Sequence, residues 1–308
     1  MNTTFSPSPR PGAKASPTPP HRGQRTRALV LGGGGAAGNA WQLGLIAGLA
    51  DAGIDITTAD LIVGTSSGAT VAAQITSGAC PADLYASVLR ENPQPRPAPM
   101  PATARDYLEW SDAVIASAAD MPEVRRALGA AALQADASNG AASVRWHDIV
   151  ESRLPVSEWP DRHLLITAID ATTGQPVVFS HETGIALIDA VAASTSSRAP
   201  YRVGQTSYLD GGYRRNENAD LAAGFDDVLV LSPFSGRTRY PLAWGMQLEA
   251  QVAELRTAGS AVQTVFPDAS AGDVFGANAL DPSTRPQAAR GGFDQANALA
   301  KALAPAWG

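Results

Sequence analysis

Cysteine is almost absent from this chain of 308 residues, with Cys80 the single example. No disulfide can therefore form within the chain, and no thiolate metal cluster is available. Histidine is nearly as scarce. His21, His147, His163 and His181 show none of the close spacings, such as H-E-x-x-H, that hold zinc. Long apolar runs are missing too: none approaches the roughly 18 residues a membrane span needs. The N-terminus has no uninterrupted apolar core of the secretory type, so the expected location is the cytoplasm. Basic residues are outnumbered 23 to 29, for a formal net charge of −6, which gives no reason to expect nucleic acid as a partner.

Acidic residues are absent from the first 27 positions, which are rich in Pro, Ser, Thr and Arg. Such a stretch buries too little apolar surface to offset its ordering entropy, and residues 1–27 are expected to form a disordered basic tail. Residues 28–308 are long enough for one large α/β domain. Ala28–Leu31 reads as a buried strand that runs straight into Gly32-Gly33-Gly34-Gly35-Ala36-Ala37-Gly38. Trp41, Leu45, Ile46 and Leu49 then recur at helical spacing, with Gly53 as a stop signal. Leu61–Val63 is the next strand, followed by Gly64-Thr65-Ser66-Ser67-Gly68 and a helix running from Gly68 to about Ser77.

Five prolines between Asn92 and Pro101 interrupt this pattern. Residues 92–153 read as an Ala-rich helical insertion over the sheet, either a lid or acyl-binding wall or a plain helical layer. Alternation then resumes. Strands are expected at Leu164–Ile169, Pro176–Phe179, Tyr201–Leu209, Val228–Leu231 and Ala261–Phe266. Helices are expected at Ile185–Ala193, Leu242 to about Ala258, and Gln287–Leu303. The expected fold class is α/β, a mostly parallel central sheet with helices on both faces in three layers.

Gly-x-Ser-x-Gly after a strand is the pattern of a nucleophile elbow, a turn so sharp that the central hydroxyl stands clear of the sheet. In a chain with 29 glycines that pattern is a weak signal by itself. The glycine loop upstream admits three chemistries. Gly33-x-Gly35-x-x-Gly38 fits a dinucleotide fingerprint, but no acidic residue closes a second strand at the required distance. A P-loop would need Gly-Lys-Ser/Thr, which is missing. An oxyanion hole needs backbone N–H groups unobstructed by side chains, which successive glycines provide. For Ser66 a triad base would be a late histidine, yet none follows His181. Asp210-Gly211-Gly212, placed where the strand from Tyr201 ends, is the remaining candidate for the base; as a bare motif it is also a common turn.

The order of glycine loop, Gly-x-Ser-x-Gly and Asp-Gly-Gly resembles the patatin-like phospholipases, from Ala28 to about Pro233. The resemblance implies a Ser–Asp dyad without histidine, with Ser66 as nucleophile and Asp210 as base. The backbone around Gly33, Gly34 and Gly35 would form the oxyanion hole, with Gly38, Gly64, Gly68, Gly211 and Gly212 supporting the motifs. Ser67 would be a bystander facing the helix. Asp210, a weak base, would be buried so that its pKa rises towards the working pH. No cofactor or metal is implied, and the partners would be an acyl ester or phospholipid, with peripheral contact to a membrane. The chain departs from the family where a cation often precedes the last loop glycine, since Ala37 stands there. It also carries Arg198-Ala199-Pro200 where Pro-Pro is common, and Asn216-Glu217-Asn218 where Asn-x-Pro is common. Arg198, Arg202, Arg214 and Arg215 flank the Asp motif and offer a substitute positive field. Two other readings stand beside the hydrolase: a non-catalytic acyl-binding protein on the same fold, and a nucleotide-binding protein.

Overall fold

The computed structural model describes residues 25–90, 104–138, 140–197, 199–276 and 278–308. Residues 1–24 of the expected tail, the proline-rich stretch up to 103, and Arg198 lie outside them. Five parallel strands form the body of the sheet: β1 (Arg27–Leu31), β2 (Leu61–Gly64), β3 (His163–Asp170), β7 (Asp227–Leu231) and β8 (Ala261–Val265). Two antiparallel strands pair with β3, β4 (Pro176–Phe179) and β6 (Thr206–Asp210), and β5 (Tyr201–Val203) pairs antiparallel with β6 at the sheet edge. The order across the sheet is β5-β6-β3-β2-β1-β7-β8, with β4 on β3.

Strand residues alternate between two apolar layers, as a sheet covered on both faces requires. Leu29, Leu31, Ile62 and Leu229 face α1 (Gly35–Asp51), α2 (Ser67–Ile75), α3 (Pro81–Arg90), α7 (Leu187–Ser194) and α9 (Arg285–Trp307). Ala28, Val30, Val63 and Val230 face α8 (Leu248–Thr257). Helix α1 is buried around most of its circumference, in keeping with its nearly continuous apolar and small composition. It meets α9 at backbone contact: a Cβ on Gly44 would lie 2.0 Å from the Ala289 carbonyl, and one on Gly292 2.2 Å from that of Trp41. Only glycine permits helices to approach so closely.

The insertion contributes α4 (Ala104–Ser117), α5 (Met121–Ala135) and α6 (Ala141–Glu151). Val124 and Leu128 of α5 are fully buried against Ile169, Leu209 and Tyr213. Trp146 of α6 donates to the Ala192 carbonyl and to Thr195 Oγ1 beside α7. The two helices cover opposite faces of the sheet, α5 over Ile169 and Leu209 and α6 beside α7 on the side of Ile166 and Tyr208.

Three assignments differ from the sequence reading. Arg25–Arg27, assigned to the tail, belong to the ordered fold. Arg25 pairs with Asp227, Thr26 N–H donates to Asp226, and Arg27 opens β1. These partners lie some two hundred residues away, so composition alone places the three in the tail. The single strand expected over Tyr201–Leu209 is a hairpin, turned at Gly204 with φ of +59°. Residues 242–244 make a short 3-10 turn, and α8 starts only at Leu248.

Candidate active site

Leu31, Gly64, Ile166, Leu231 and Val265 lie level across the parallel strands, so the segments after β1, β2, β7 and β8 emerge at one carboxyl edge. The chain turns opposite ways from β1 to β2 and from β7 to β8, which makes this edge a switch point of the kind where open sheets open crevices. Strand β3 runs past the edge by four residues, and β6 pairs with that overhang, setting Asp210 opposite Ala168. Asp210 therefore arrives from an antiparallel strand. It reaches the edge because β6 stops there, and not because the edge collects the ends of parallel strands.

Ser66 has φ of +54° and ψ of −123°, a strained backbone for a residue with a Cβ. The glycines on either side permit the turn. A Cβ on Gly68 would sit 2.1 Å from the Leu31 carbonyl oxygen, and one on Gly64 would sit 2.7 Å from Ala69 Cα. The Ser66 hydroxyl donates to Asp210 Oδ2 at 2.7 Å. Asp210 Oδ1 accepts from Gly212 N–H at 2.8 Å, and Ser66 N–H donates to Ser194 Oγ at 2.9 Å. Asp210 is only 8% exposed. Burial raises its pKa from 3.8 to about 6, against the opposing pull of the Ser66 and Gly212 hydrogen bonds.

The glycine loop packs directly on the elbow. A Cβ at Gly33 would lie 3.2 Å from Ser66 Cβ, while Gly34 and Gly38 press on Pro233. Gly33 N–H donates to the Asn216 carbonyl at 3.0 Å, and Gly34 N–H to Ser67 Oγ at 2.8 Å. Ser67, expected as a bystander, instead holds the loop. The reason is geometric: the first turn of α2 lies against the loop, so a side chain that faces the helix also faces Gly34. Among the described residues, Gly35 N–H at the start of α1 and Ser67 N–H at the start of α2 have no acceptor.

Behind the dyad stands Asn218, fully buried with φ of +55°. Its amide nitrogen lies within hydrogen-bond reach of Thr65 Oγ1 (2.9 Å), Thr167 Oγ1 (3.1 Å) and the Gly211 carbonyl (3.2 Å). One side chain thus ties the elbow, β3 and the Asp motif together. Asn tolerates the left-handed backbone that proline, fixed near −65°, cannot adopt. Ser194, Ser67 and Asn218 were not singled out from the sequence. The departure from Asn-x-Pro was the one signal there that pointed towards Asn218.

Among the described residues, Arg202, Arg214 and Arg215 do not supply a free positive field at the dyad. Arg214 is bonded to Asp220 and Asn218, and Arg215 to Glu254 and Asp220. Arg202 is exposed on β5. The described histidines stand apart as well: His163 opens β3 at the opposite end from Gly64, His147 is on α6, and His181 is exposed in a short turn. His147, Asp148 and Glu151 come within 4.8 Å of one another, but Asp148 is 71% exposed and the group is a solvated face of α6. No helix among the described residues is long and apolar enough to cross a membrane.

The arrangement is a three-layer α/β sheet that carries a strained serine hydrogen-bonded to a buried carboxylate at its carboxyl edge. The patatin-like phospholipase profile matches residues 29–223, and the chain belongs to that family, whose members are generally hydrolases of lipid esters. Two solved structures are similar in part. VipD from Legionella pneumophila is 15% identical, with a TM-score of 0.43 over 91% of this chain and 67% of its own. The type III effector protein ExoU is 17% identical, with a TM-score of 0.36 over 88% of this chain and 53% of its own. No curated protein matches.

Proposed function

We propose that the protein is a serine acyl-ester hydrolase acting through Ser66 and Asp210. The observation that carries this reading is the 2.7 Å hydrogen bond from a strained, elbow-borne Ser66 hydroxyl to a buried carboxylate. Asp210 Oδ2 takes the Ser66 proton as Oγ attacks the ester carbonyl carbon. The tetrahedral oxyanion then collapses, expelling the alcohol, which receives that proton from Asp210. Water gives its proton to Asp210 and attacks the acyl-enzyme; the second tetrahedral oxyanion expels Ser66 Oγ, which takes that proton back from Asp210, and the carboxylic acid leaves.

The oxyanion calls for N–H donors that are not already engaged. Gly33 and Gly34 spend theirs on Asn216 and Ser67, so we assign these two to shaping the loop. Gly35 N–H and Ser67 N–H, at the positive ends of α1 and α2, become the donors. The substrate class is a lipid acyl ester, met by peripheral contact with a membrane. Within the family this chain lacks a loop cation at Ala37, which favours esters whose recognition does not depend on a phosphate at that point.

The test is hydrolysis of 4-nitrophenyl butyrate and of phosphatidylcholine vesicles, together with labelling by a fluorophosphonate probe located by mass spectrometry. Wild type is expected to turn over ester and to carry the label on Ser66, and Ser66→Ala to do neither. Wild-type turnover in Ser66→Ala would end this assignment. Fatty-acid binding without turnover or label would point instead to an acyl-binding protein.

A further inference from the structure

Neither the dyad nor the glycine loop accounts for Glu217. Its side chain is 1% exposed, and no Lys, Arg or His pairs with it among the described residues. All of its partners are neutral donors. Oε1 accepts from Ser232 Oγ at 2.7 Å and from Asn216 Nδ2 at 3.0 Å, and Oε2 accepts from Gln251 Nε2 at 3.3 Å. An ionised carboxylate buried without a cation carries a desolvation cost of several kcal/mol. Burial pushes its pKa up, against the pull of the Asn216, Ser232 and Gln251 hydrogen bonds. What the ionised form offers in return is specific. It accepts at both oxygens and donates at neither, so it can orient three donors at once.

Two of those donors lead straight to the glycine loop. Asn216 grips the Gly33 peptide from both sides: its carbonyl accepts Gly33 N–H at 3.0 Å, and its Nδ2 donates to the Gly33 carbonyl at 3.2 Å. The same Nδ2 is the atom held by Glu217. Ser232 Oγ also accepts Gly236 N–H at 2.9 Å, fixing the turn that presents Pro233 to Gly34 and Gly38. Glu217 Cγ itself backs onto Gly32, 3.2 Å from where a Cβ would lie. The carboxylate thus governs the wall on each side of the loop while touching none of the reacting atoms.

We infer that Glu217 is a positioning residue for oxyanion stabilisation, acting through Asn216 on Gly33 and through Ser232 on Gly34. This rests on the hydrolase reading above. With Gly33 clamped, the proposed donor at Gly35, two residues on, is held in place. With the clamp loosened, the Gly33 peptide can rotate and the donor loses its aim. A misplaced donor lowers stabilisation of the transition state far more than it lowers ground-state binding.

The experiment compares wild type, Ser66→Ala, Glu217→Gln, Asn216→Ala and the Asn216→Ala/Glu217→Gln double variant on 4-nitrophenyl butyrate, with thermal unfolding followed in parallel. Glutamine keeps the shape but turns a donor towards Gln251, and alanine at 216 removes the Nδ2 grip while leaving the backbone carbonyl. Each single variant is expected to lose about 10- to 100-fold in kcat with KM within about twofold of wild type. The double variant is expected to fall no further than the less active of the two, because Asn216 lies on the route through which Glu217 acts. Wild-type kcat in either folded single variant, or losses that multiply in the double, would overturn the inference. If Glu217→Gln fails to fold, Asn216→Ala alone decides, since the same kcat loss without a KM change is required of it. Turnover in wild type with unchanged variants refutes the positioning role alone. Absence of wild-type turnover refutes the hydrolase reading, and this inference falls with it.

Discussion

Replacing Asp210 by asparagine should stabilise the protein at neutral pH while abolishing its activity. Asp210 is buried and titrates near 6 rather than 3.8, so the folded state binds its proton more tightly than the unfolded chain does. The resulting stability is present in full below pH 3.8 and is lost as pH rises through about 6. A rise of this size corresponds to about 3 kcal/mol, at about 1.4 kcal/mol for each pKa unit. At pH 8 the ionised carboxylate therefore leaves the fold about 3 kcal/mol less stable than a neutral group of the same shape would. Asparagine is such a group. Its Oδ1 can accept from Gly212 N–H and its Nδ2 can donate to Ser66 Oγ, along the two contacts that the aspartate makes now. For a chain of this size the gain amounts to about 5 °C in Tm. Thermal unfolding of both proteins at pH 4, 6 and 8 measures it. The asparagine variant should melt higher at pH 8, and the gap should close towards pH 4. An equal gap at pH 4 and pH 8, or no gain at pH 8, would refute the argument that burial of the charge sets the pKa. Ester turnover should be lost at every pH, since an amide cannot accept the serine proton.

Two further outcomes follow from the same geometry. The kcat/KM of wild type should rise with pH through about 6, where Asp210 ionises, and level off above it; a flat profile between pH 4.5 and 8 would remove Asp210 as the base. Gly68→Ala should cost about 3 kcal/mol and abolish fluorophosphonate labelling, because its methyl would meet the Leu31 and Gly32 carbonyl oxygens at 2.1 and 2.8 Å with no flexible side chain to yield. Gly53→Ala, where open space surrounds a φ of +84°, should cost about 1 kcal/mol and leave labelling intact, which separates the steric demand of the elbow from a general intolerance of alanine.

Much of the strand–helix alternation was legible in the chain because it rests on short-range physics. Continuous apolar runs in Ala28–Leu31 and Val228–Leu231, helical spacing through Trp41 and Leu49, and glycines at turns each act over a few residues. The elbow is legible because its pattern is local, although its glycines answer to different neighbours: Gly64 clears Ala69 and Ala72 within the strand–turn–helix unit, whereas Gly68 clears the Leu31 and Gly32 carbonyls beside it. The hairpin of β5 and β6 was read as one strand because Gly204 interrupts a run whose polar alternation continues on both sides. Arg25–Arg27 were read as tail because their composition matches the residues before them, while their partners sit at Asp226 and Asp227.

By itself, then, the sequence determined the sheet's strands, the strained serine and the absence of any histidine placed to serve it. What only the tertiary structure decided is how the serine is served. The overhang of β3 and the short antiparallel β6 bring Asp210 across 144 positions to 2.7 Å from Ser66. Ser67 and Asn216 engage two of the three loop amides, Asn218 joins three segments, and Glu217 sits buried among neutral donors. Each of these is a contact between residues distant in the chain, set by where a strand stops and which layer covers it. Local pattern singles out Asp210 as a candidate but carries no record of such distances, so packing alone sets it beside Ser66 and decides which loop amides are engaged.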